Sequence, residues 1–446
     1  MVSGLPVEAV LPELLAVMAA EGQAVLQAPP GAGKTTRVPL ALLDGLGPGR
    51  ILMLEPRRVA ARAAAERLAE AFGEAPGGLV GYRIRGEAAL SARTRIEVVT
   101  EGILTRLIQA EPDLPGIGCL IFDEFHERSL HADLGLALAL EARAALRPDL
   151  RLLVMSATLD AEPVARLMGA RIVTAEGRAH PVETRYLPRP LPAGTRFEAE
   201  AAALVLRAVE ESSGGILVFL PGEGEIRRVE ALIAGRLPGA VAVQPLYGAL
   251  PLARQRAALA PLAAGRKLVL STAVAETSIT IPDVRVVVDA GRARRSRFDP
   301  ASGLSRLVTE RVTRAEAEQR RGRAGRVAPG ICYRMWARGE EGSMAAFPPP
   351  EITLADLTGL ALELALWGAR AEALPFLTPP PAPALAEAEA LLRELGALDA
   401  AGRITAHGRA LAFLPLHPRL AHMLVLGAGQ GAAREAAELA ALLEER

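Results

Sequence analysis

Short apolar runs recur along the first half of the chain, separated by stretches rich in alanine and arginine. Each run has the length of a buried strand, and the runs cover residues 51–54, 96–99, 119–122 and 152–155. The stretches between them suit helices, and apolar residues at helical spacing predict a further helix over residues 1–21. Strands that alternate with helices predict a parallel sheet covered by helices on both faces. Such sheets bind ligands at the carboxyl ends of their strands.

The strand and helix rhythm stops near residues 176–192 and then resumes. Four prolines in this stretch predict a linker or an irregular crossing. New runs of strand length follow at residues 216–220, 241–243, 268–270 and 286–288. The simplest interpretation is a second α/β domain of the same type, without a glycine-rich turn of its own.

A glycine-rich turn follows the apolar residues 24–26. It reads Ala-Pro-Pro-Gly-Ala-Gly-Lys-Thr-Thr and matches the second half of a P-loop, because Ala28 stands where the first glycine is usual. Glycines let consecutive N–H groups point at one anion, and the following helix adds its positive end. We expect Lys34 to reach the β- and γ-phosphates of a nucleotide and the hydroxyl of Thr35 to bind Mg²⁺. The predicted nucleotide-binding residues of the turn are Pro30, Gly31, Ala32, Gly33, Lys34, Thr35 and Thr36.

A glycine-rich surface turn is the alternative, and lysine usage argues against it. The chain has 51 lysine and arginine residues, but only Lys34 and Lys267 are lysines. Since arginine is used almost everywhere else, a lysine inside the glycine turn suggests that a compact ammonium is needed there.

Composition limits the classes of function. A length of 446 residues predicts two or three domains, and 50% hydrophobic residues indicate a folded globular chain. The net charge is zero, so nucleic-acid contacts must come from local arginine patches, and 3% aromatic residues argue against base stacking as the main grip. Two solitary cysteines cannot form a thiolate metal cluster and indicate a reducing cytoplasm. The sequence shows no export signal or membrane span.

The run at residues 119–122 leads directly into Asp-Glu-Phe-His. Two carboxylates at the end of a buried strand point to metal and water chemistry, although a solvated turn is the alternative. We expect Asp123 to bind Mg²⁺, and Glu124 to lie near the metal and to deprotonate the attacking water. The predicted metal-binding residues are therefore Thr35, Asp123 and Glu124. His126 is expected to act as a link and His131 to have no role, because no HExxH motif is present.

The P-loop together with Asp-Glu-Phe-His resembles the DEAH-box helicases of superfamily 2, in the bacterial HrpB branch. Phe125 departs from the alanine of the general family pattern. Further signatures follow in the family's order, with motifs Ia, Ib, III, IV, V and VI at residues 55–58, 100–102, 156–158, 219–222, 271–278 and 319–326. The resemblance implies ATP or another NTP and Mg²⁺ as cofactors, His126 near the nucleotide, and 3′ to 5′ movement along single-stranded RNA with duplex unwinding.

Residues 319–326 read Gln-Arg-Arg-Gly-Arg-Ala-Gly-Arg. On one continuous helix, Gln319, Arg323 and Arg326 would share a face. That geometry suits arginine fingers, which neutralise charge on the γ-phosphate. An RNA-binding stripe or a solvated helix is the alternative. The predicted catalytic residues are Lys34, Glu124, Gln319, Arg323 and Arg326.

Several polar residues follow strand ends on the ligand side, where they could bind phosphates without reading bases. Arg57, Arg58 and the Thr100 hydroxyl are placed in this way, although a solvated charged face is the alternative. The resemblance adds their neighbours in the motifs and a loop at residues 82–85. The predicted nucleic-acid contacts are Pro56, Arg57, Arg58, Arg83, Thr100, Glu101, Gly102 and Thr277. Phosphate contacts alone do not separate RNA from DNA.

The resemblance covers nearly the whole chain and implies two tandem RecA-like parallel-sheet domains, then a winged-helix domain and the start of a helical ratchet-type bundle. The corresponding ranges are 1–175, 176–338, 339–404 and 405–446. The chain is expected to be an N-terminal fragment. Three other functions stay open: an NTP-gated RNA clamp that does not separate duplexes, a DNA-directed helicase, and a P-loop phosphotransferase. The sequence does not indicate a protein partner.

Overall fold

Two parallel sheets with helices on both faces make up the larger part of the fold. They are seen in a computed structural model that describes residues 4–45, 47, 49–157, 161–177, 180–276, 281, 283–299 and 304–444. The eight-stranded and six-stranded sheets confirm the prediction of two tandem α/β domains.

The first sheet has eight strands, and all four apolar runs predicted for this domain lie in it. Its strands are β1 (Gln23–Gln27), β2 (Arg50–Glu55), β3 (Val80–Ile84), β4 (Glu87–Ala89), β5 (Ile96–Thr100), β6 (Ile117–Phe122), β7 (Arg151–Ser156) and β8 (Arg171–Thr174). Their order is β4-β3-β5-β2-β6-β7-β1-β8. The predicted runs correspond to β2, β5, β6 and β7, which are almost continuously buried, as parallel strands covered on both faces must be. The outer strands β3, β4 and β8 were missed because they are shorter or less apolar.

Six helices accompany these strands, one before β1 and five between successive strands. They are α1 (Leu11–Ala20), α2 (Lys34–Gly45), α3 (Arg58–Glu70), α4 (Glu101–Ala110), α5 (Leu130–Ala145) and α6 (Glu162–Met168). The single helix predicted over residues 1–21 was wrong in its extent, because a 3-10 turn at Pro6–Ala9 precedes α1. Pro12 lies in the first turn of α1, where its missing N–H is not needed.

The second sheet has six strands in the order β11-β12-β10-β13-β16-β9. The strands of this domain are β9 (Val182–Leu187), β10 (Gly215–Phe219), β11 (Val241–Leu246), β12 (Arg266–Ser271), β13 (Val284–Asp289), β14 (Arg292–Asp299), β15 (Leu304–Arg311) and β16 (Gly330–Ala337). Strands β14 and β15 form a separate antiparallel hairpin. The helices of the second domain are α7 (Phe197–Glu211), α8 (Glu223–Ile233), α9 (Leu252–Leu259) and α10 (Arg314–Gly322). The linker predicted at residues 176–192 was partly wrong, since it contains edge strand β9, with the prolines outside the strand where no ladder bond is lost.

Five helices follow the second domain, and the first four of them contribute to the core of the first sheet's domain. They are α11 (Thr358–Trp367), α12 (Ala382–Glu394), α13 (Ala406–Phe413), α14 (Pro418–Gly429) and α15 (Ala433–Glu444). Leu120 of β6 and Leu136 of α5 belong to the same buried cluster as Leu360 of α11 and Leu392 of α12. The second sheet has buried clusters of its own. The first domain and the C-terminal helices therefore share one core.

No single helix in the described ranges is long and apolar enough to cross a membrane. Helices α13 and α14 meet the length and composition requirement only as a pair, and that pair is bent by 108°.

The shared core predicts that a cavity in α11 destabilises the first domain. Leu360 is 2% exposed, so Leu360→Ala is expected to lower the free energy of unfolding by about 3 kcal/mol. Leu439→Ala on α15 is the control, because Leu439 is 53% exposed and its loss should change stability by less than about 0.5 kcal/mol. Urea unfolding measures both variants, and equal midpoints would contradict the shared core.

Candidate functional site

The glycine-rich turn between β1 and α2 bends through two left-handed glycines. Gly31 has φ +82° and Gly33 has φ +92°. A Cβ on Gly33 would lie 2.7 Å from Leu5 Cδ1, so position 33 has no room for a side chain. Lys34 is 4% exposed, and its Nζ donates to the carbonyl of Ala28 at 2.7 Å. The turn thus holds an ammonium group against its own backbone, at the carboxyl end of β1.

The other lysine of the chain is also buried, at a different place. Lys267 in β12 donates from Nζ to the carbonyl of Ala258 at 3.0 Å and to that of Ala260, near the end of α9. Lys267 therefore caps a helix, and Lys34 is the lysine at the glycine-rich turn.

Thr35 and Asp123 bring oxygen atoms together beside the turn. Thr35 Oγ1 donates to Asp123 Oδ2 at 2.6 Å, and Asp123 Oδ1 accepts the N–H of Glu124 at 2.8 Å. Burial, and then the charge of Glu124, raise the pKa of Asp123 to about 6. A hydroxyl and a carboxylate are the oxygen ligands that Mg²⁺ takes, and one Oε atom of Glu124 is buried without a hydrogen-bond partner. These residues therefore fit the magnesium ion that the sequence predicted.

Glu124 is buried and strained. It is 6% exposed and has a left-handed backbone with φ +49°. Burial alone would raise the pKa of this carboxyl, but the positive charges of Lys34, Arg323 and Arg326 lower it below its ordinary value. Glu124 is thus an ionised carboxylate inside the site.

Helix α10 ends at Gly322, so the continuous helix predicted over residues 319–326 was wrong. A 3-10 turn follows at Arg323–Gly325. Glycine favours the break, and a Cβ on Gly325 would lie 2.6 Å from the carbonyl oxygen of His180. The turn nevertheless directs Arg323 and Arg326 toward the first domain.

The four arginines of this segment divide into two pairs. Arg326 Nε lies 3.7 Å from the position of a Cβ on Gly31, directly against the glycine-rich turn. Arg323 donates from Nε to the carbonyl of Glu276 at 3.0 Å. Burial lowers the pKa of Arg326 to about 10, and burial followed by the charge of Arg326 lowers the pKa of Arg323.

The other two arginines serve the second domain itself. Arg320 is fully buried and binds Asp289 at 2.9 Å and Glu276 at 3.2 Å. Arg321 pairs with Glu318. Only positions 323 and 326 of this group lie near Glu124 and the glycine-rich turn.

A cavity of about 370 Å³ joins these groups across the two domains. It is lined by the glycine-rich turn, Glu124 and Arg326, and by five residues that the sequence analysis missed. These five are Leu5, Ala63, Ala64, Arg67 and Val327. Helical spacing on α3 could have revealed Ala63, Ala64 and Arg67, because they share a face of the helix that begins at Arg58.

His126 connects the two domains. Its Nδ1 lies 3.4 Å from Glu124 Oε2, and its Nε2 lies 3.0 Å from the amide nitrogen of Gln319 in α10. The contact has the form of the link expected for His126.

Three predicted nucleic-acid contacts are engaged within the protein. Arg57 donates to the carbonyl of Ala273 in the second domain at 2.5 Å and pairs with Glu127 at 3.1 Å. Arg83 lies on strand β3, not on the predicted loop, and pairs with Glu97 at 2.9 Å. The Glu101 carboxylate accepts the hydroxyl of Ser129. These side chains act as structural ties in this conformation.

The remaining predicted contacts are placed at the carboxyl ends of strands. Arg58 is exposed at the first position of α3, next to the partly buried Pro56. Thr100 and Gly102 are partly buried where β5 meets α4. Thr277 lies outside the described residues.

Comparison with protein families matches residues 8–167 to the DEAD/DEAH box helicase family and residues 200–328 to the helicase conserved C-terminal domain. These two ranges contain all five predicted catalytic residues in the two expected domains. The chain belongs to the DEAD/DEAH box helicase family. Residues 388–416 also match the winged-helix helicase associated domain HA2. The helicase fold is thus two RecA-like parallel-sheet domains, a winged-helix domain and a helical C-terminal region. The residue ranges of these four domains stay predictions.

Named relatives agree with the family. The chain is 50% identical over 447 residues to the ATP-dependent RNA helicase HrpB of Escherichia coli (strain K12), covering 99% of this chain and 55% of that protein. It is 37% identical to HrpA of the same organism, covering 91% and 32%. The crystal structure of Escherichia coli DEAH/RHA helicase HrpB matches with a TM-score of 0.93 and 49% identity, covering 99% and 56%. The chain spans about half the length of HrpB and a third of HrpA.

The buried carboxyl of Glu101 predicts a pH-dependent stability. Burial raises its pKa to about 7 from an ordinary 4.5, so the stability it contributes is present at low pH and is lost as pH rises through about 7. Glu101→Gln keeps an acceptor for Ser129 and cannot ionise. We expect it to raise Tm more at pH 8 than at pH 5, measured by thermal unfolding. Glu111→Gln is the control, because Glu111 is exposed at the end of α4, and it should change Tm equally at both pH values.

Proposed function

We propose that this chain is the NTP-hydrolysing motor of an RNA helicase. The observation that carries the proposal is the position of Arg326, which belongs to the second domain but lies against Gly31 of the first. Glu124 and the glycine-rich turn on one side, and Arg326 on the other, line one cleft, and Arg323 lies near enough to Glu124 to help lower its pKa. A triphosphate would thus be enclosed only when both domains meet.

Each group of the cleft has a defined task in hydrolysis. The N–H groups of residues 30–36 and the ammonium of Lys34 would bind the β- and γ-phosphates. Thr35 and Asp123, with Glu124 nearby, would hold Mg²⁺, which when bound neutralises phosphate charge. Glu124 would accept the proton of the attacking water, and Arg323 and Arg326 would stabilise charge on the transferred group.

The contacts across the cleft couple hydrolysis to movement. His126 binds Gln319, and Arg57 binds the carbonyl of Ala273, so both bonds must break when the domains separate. Arg58, Thr100 and Gly102 on the first domain would then hold the phosphate chain while the second domain moves. Since HrpB and HrpA are named ATP-dependent RNA helicases, we propose single-stranded RNA as the track. The 3′ to 5′ direction is proposed from the resemblance of the motifs to those of the DEAH-box helicases.

NTP hydrolysis with and without nucleic acid tests this proposal. We expect single-stranded RNA to stimulate hydrolysis more than DNA, and a duplex with a 3′ tail to be separated. Glu124→Gln should bind nucleotide but fail in both assays. A rate of hydrolysis that neither RNA nor DNA increases would contradict a nucleic-acid motor. An increase by RNA without separation of the duplex would indicate an RNA clamp.

The cavity predicts broad use of nucleotides. Among its lining residues in the described ranges are neither aromatic rings nor side-chain amides that could read a base. A site that hydrogen-bonds its substrate can reject an analogue by about 10⁴-fold, and without such groups this cavity is not expected to discriminate between bases in that way. We expect kcat/KM for ATP and GTP to agree within about 10-fold. Strict use of ATP would contradict this prediction.

The arginines of residues 319–326 are predicted to differ sharply in their effect. Arg326→Ala is expected to reduce kcat by about 10³-fold, because it removes charge stabilisation at the γ-phosphate. Arg321→Ala is the matched control, since Arg321 pairs with Glu318 away from the cavity, and its kcat should stay near that of the parent. Steady-state hydrolysis at saturating ATP measures both variants. Similar losses in both would favour a structural role for the whole segment.

A further inference from the structure

Three consecutive residues after Glu124 and Phe125 contact three different parts of the molecule. His126 reaches Gln319 in the second domain. Glu127 pairs with Arg57 at the start of α3. Arg128 is directed to the C-terminal region. The first two contacts belong to the cleft, whereas the third has no part in the function proposed above.

Arg128 lies at the centre of a compact set of hydrogen bonds. Its guanidinium binds both oxygens of buried Asp133 at 3.0 Å and donates to Thr378 Oγ1 at 2.9 Å. Its carbonyl accepts the N–H of Glu351 at 3.0 Å. The Glu351 carboxylate in turn accepts the N–H of Leu130, the first residue of α5, at 2.8 Å. Glu351 and Thr378 both lie beyond the second domain, so the C-terminal region binds this turn from two sides.

The backbone between Glu124 and Arg128 is strained at both ends. Glu124 has φ +49° and Arg128 has φ +51°, and they flank the 3-10 turn Phe125–Glu127. Residues with side chains keep left-handed backbone angles only where their surroundings hold them. The bonds to Arg128 and Leu130 therefore hold the far end of a five-residue segment whose near end is Glu124.

Packing does not hold the segment on every side. A cavity of about 450 Å³ adjoins it, lined by Arg128, Ser129, Glu351 and Leu377 and, from the second domain, by Glu316. On that side the segment has room to shift, so directional bonds and not close packing must fix its position.

We propose that Thr378 and Glu351 are positioning residues for Glu124, through which the C-terminal region sets the geometry of the water-activating carboxylate. The inference rests on the hydrolysis proposed above. Neither residue touches the nucleotide cavity. Each acts through the backbone and guanidinium of Arg128 or the start of α5. A small displacement of a catalytic group is enough to reduce its rate strongly.

Pairs of variants at the two positions test the inference. Thr378→Val removes the hydroxyl with little change in shape, and Thr378→Ser restores it. Glu351→Ala removes the acceptor for Leu130, and Glu351→Gln keeps one. Asp133 and Arg128 are left intact because loss of a buried ion pair would endanger folding. We expect Thr378→Val and Glu351→Ala to lower kcat about 10-fold with an unchanged Kd for ATP, and the Ser and Gln variants to recover most of the rate.

Trp367→Phe is the matched control for a merely structural role. Trp367 Nε1 donates to Glu141 Oε2 at 2.5 Å, so it also joins the C-terminal region to the first domain, but away from residues 124–130. It should lower Tm without lowering kcat. If Thr378→Val and Glu351→Ala behave like Trp367→Phe, the inference is overturned while the proposed function stands. If the parent chain itself does not hydrolyse NTP, the proposed function fails first.

Discussion

The burial of positive charge at the domain cleft is the constraint on which the rest of the structure depends. Burial lowers the pKa of both Arg323 and Arg326, and Arg326 lies close enough to Arg323 to disfavour its charge further. The neighbouring Glu124 and Asp123 offer at most two negative charges against these two arginines and Lys34. Such a site has an excess of desolvated cations, which a polyphosphate anion would neutralise better than water does. The buried positive charges that are expected to act in hydrolysis would therefore also favour closure of the two domains around a bound polyphosphate.

The distribution of hydrophobic cores determines which parts can move. The first domain and the C-terminal helices share one buried cluster, whereas the second domain has clusters of its own. The chain thus leaves one packed body, forms a second, and returns to the first. The contacts across the cleft include single side-chain bonds, such as Arg57 with Ala273 and His126 with Gln319, while Val59 of α3 packs at the margin of a second-domain cluster. Those bonds can be exchanged at far lower cost than a shared core, so motion is concentrated at the cleft.

Local patterns were sufficient where a strand is a continuous apolar run, but they missed β16, which is buried over residues 332–337. Strands β2, β5, β6 and β7 are continuous apolar runs. The glycines of the glycine-rich turn likewise indicate by themselves that the backbone must bend there. The pattern failed at edge strands such as β9, whose residues are only partly buried, and at Gly322, where a glycine ends a helix that arginines would continue. The nucleic-acid contacts predicted at Arg57 and Arg83 stay predictions, although both side chains have partners within the protein in this conformation. Their partners Ala273 and Glu97 are brought near only by folding, and sequence spacing holds no information on such contacts.

The placement of the lysines has a consequence for how this protein can be regulated. Both lysine side chains are enclosed, Lys34 by the glycine-rich turn and Lys267 by the end of α9, while the outer surface carries its positive charge as guanidinium. Enzymes that acetylate or conjugate side-chain amines therefore find no exposed target on this chain. Any acylating agent that reached Lys34 would abolish the ammonium of the proposed nucleotide pocket, and a nucleotide bound there would shield it. Covalent amine chemistry would thus report on whether that pocket is filled.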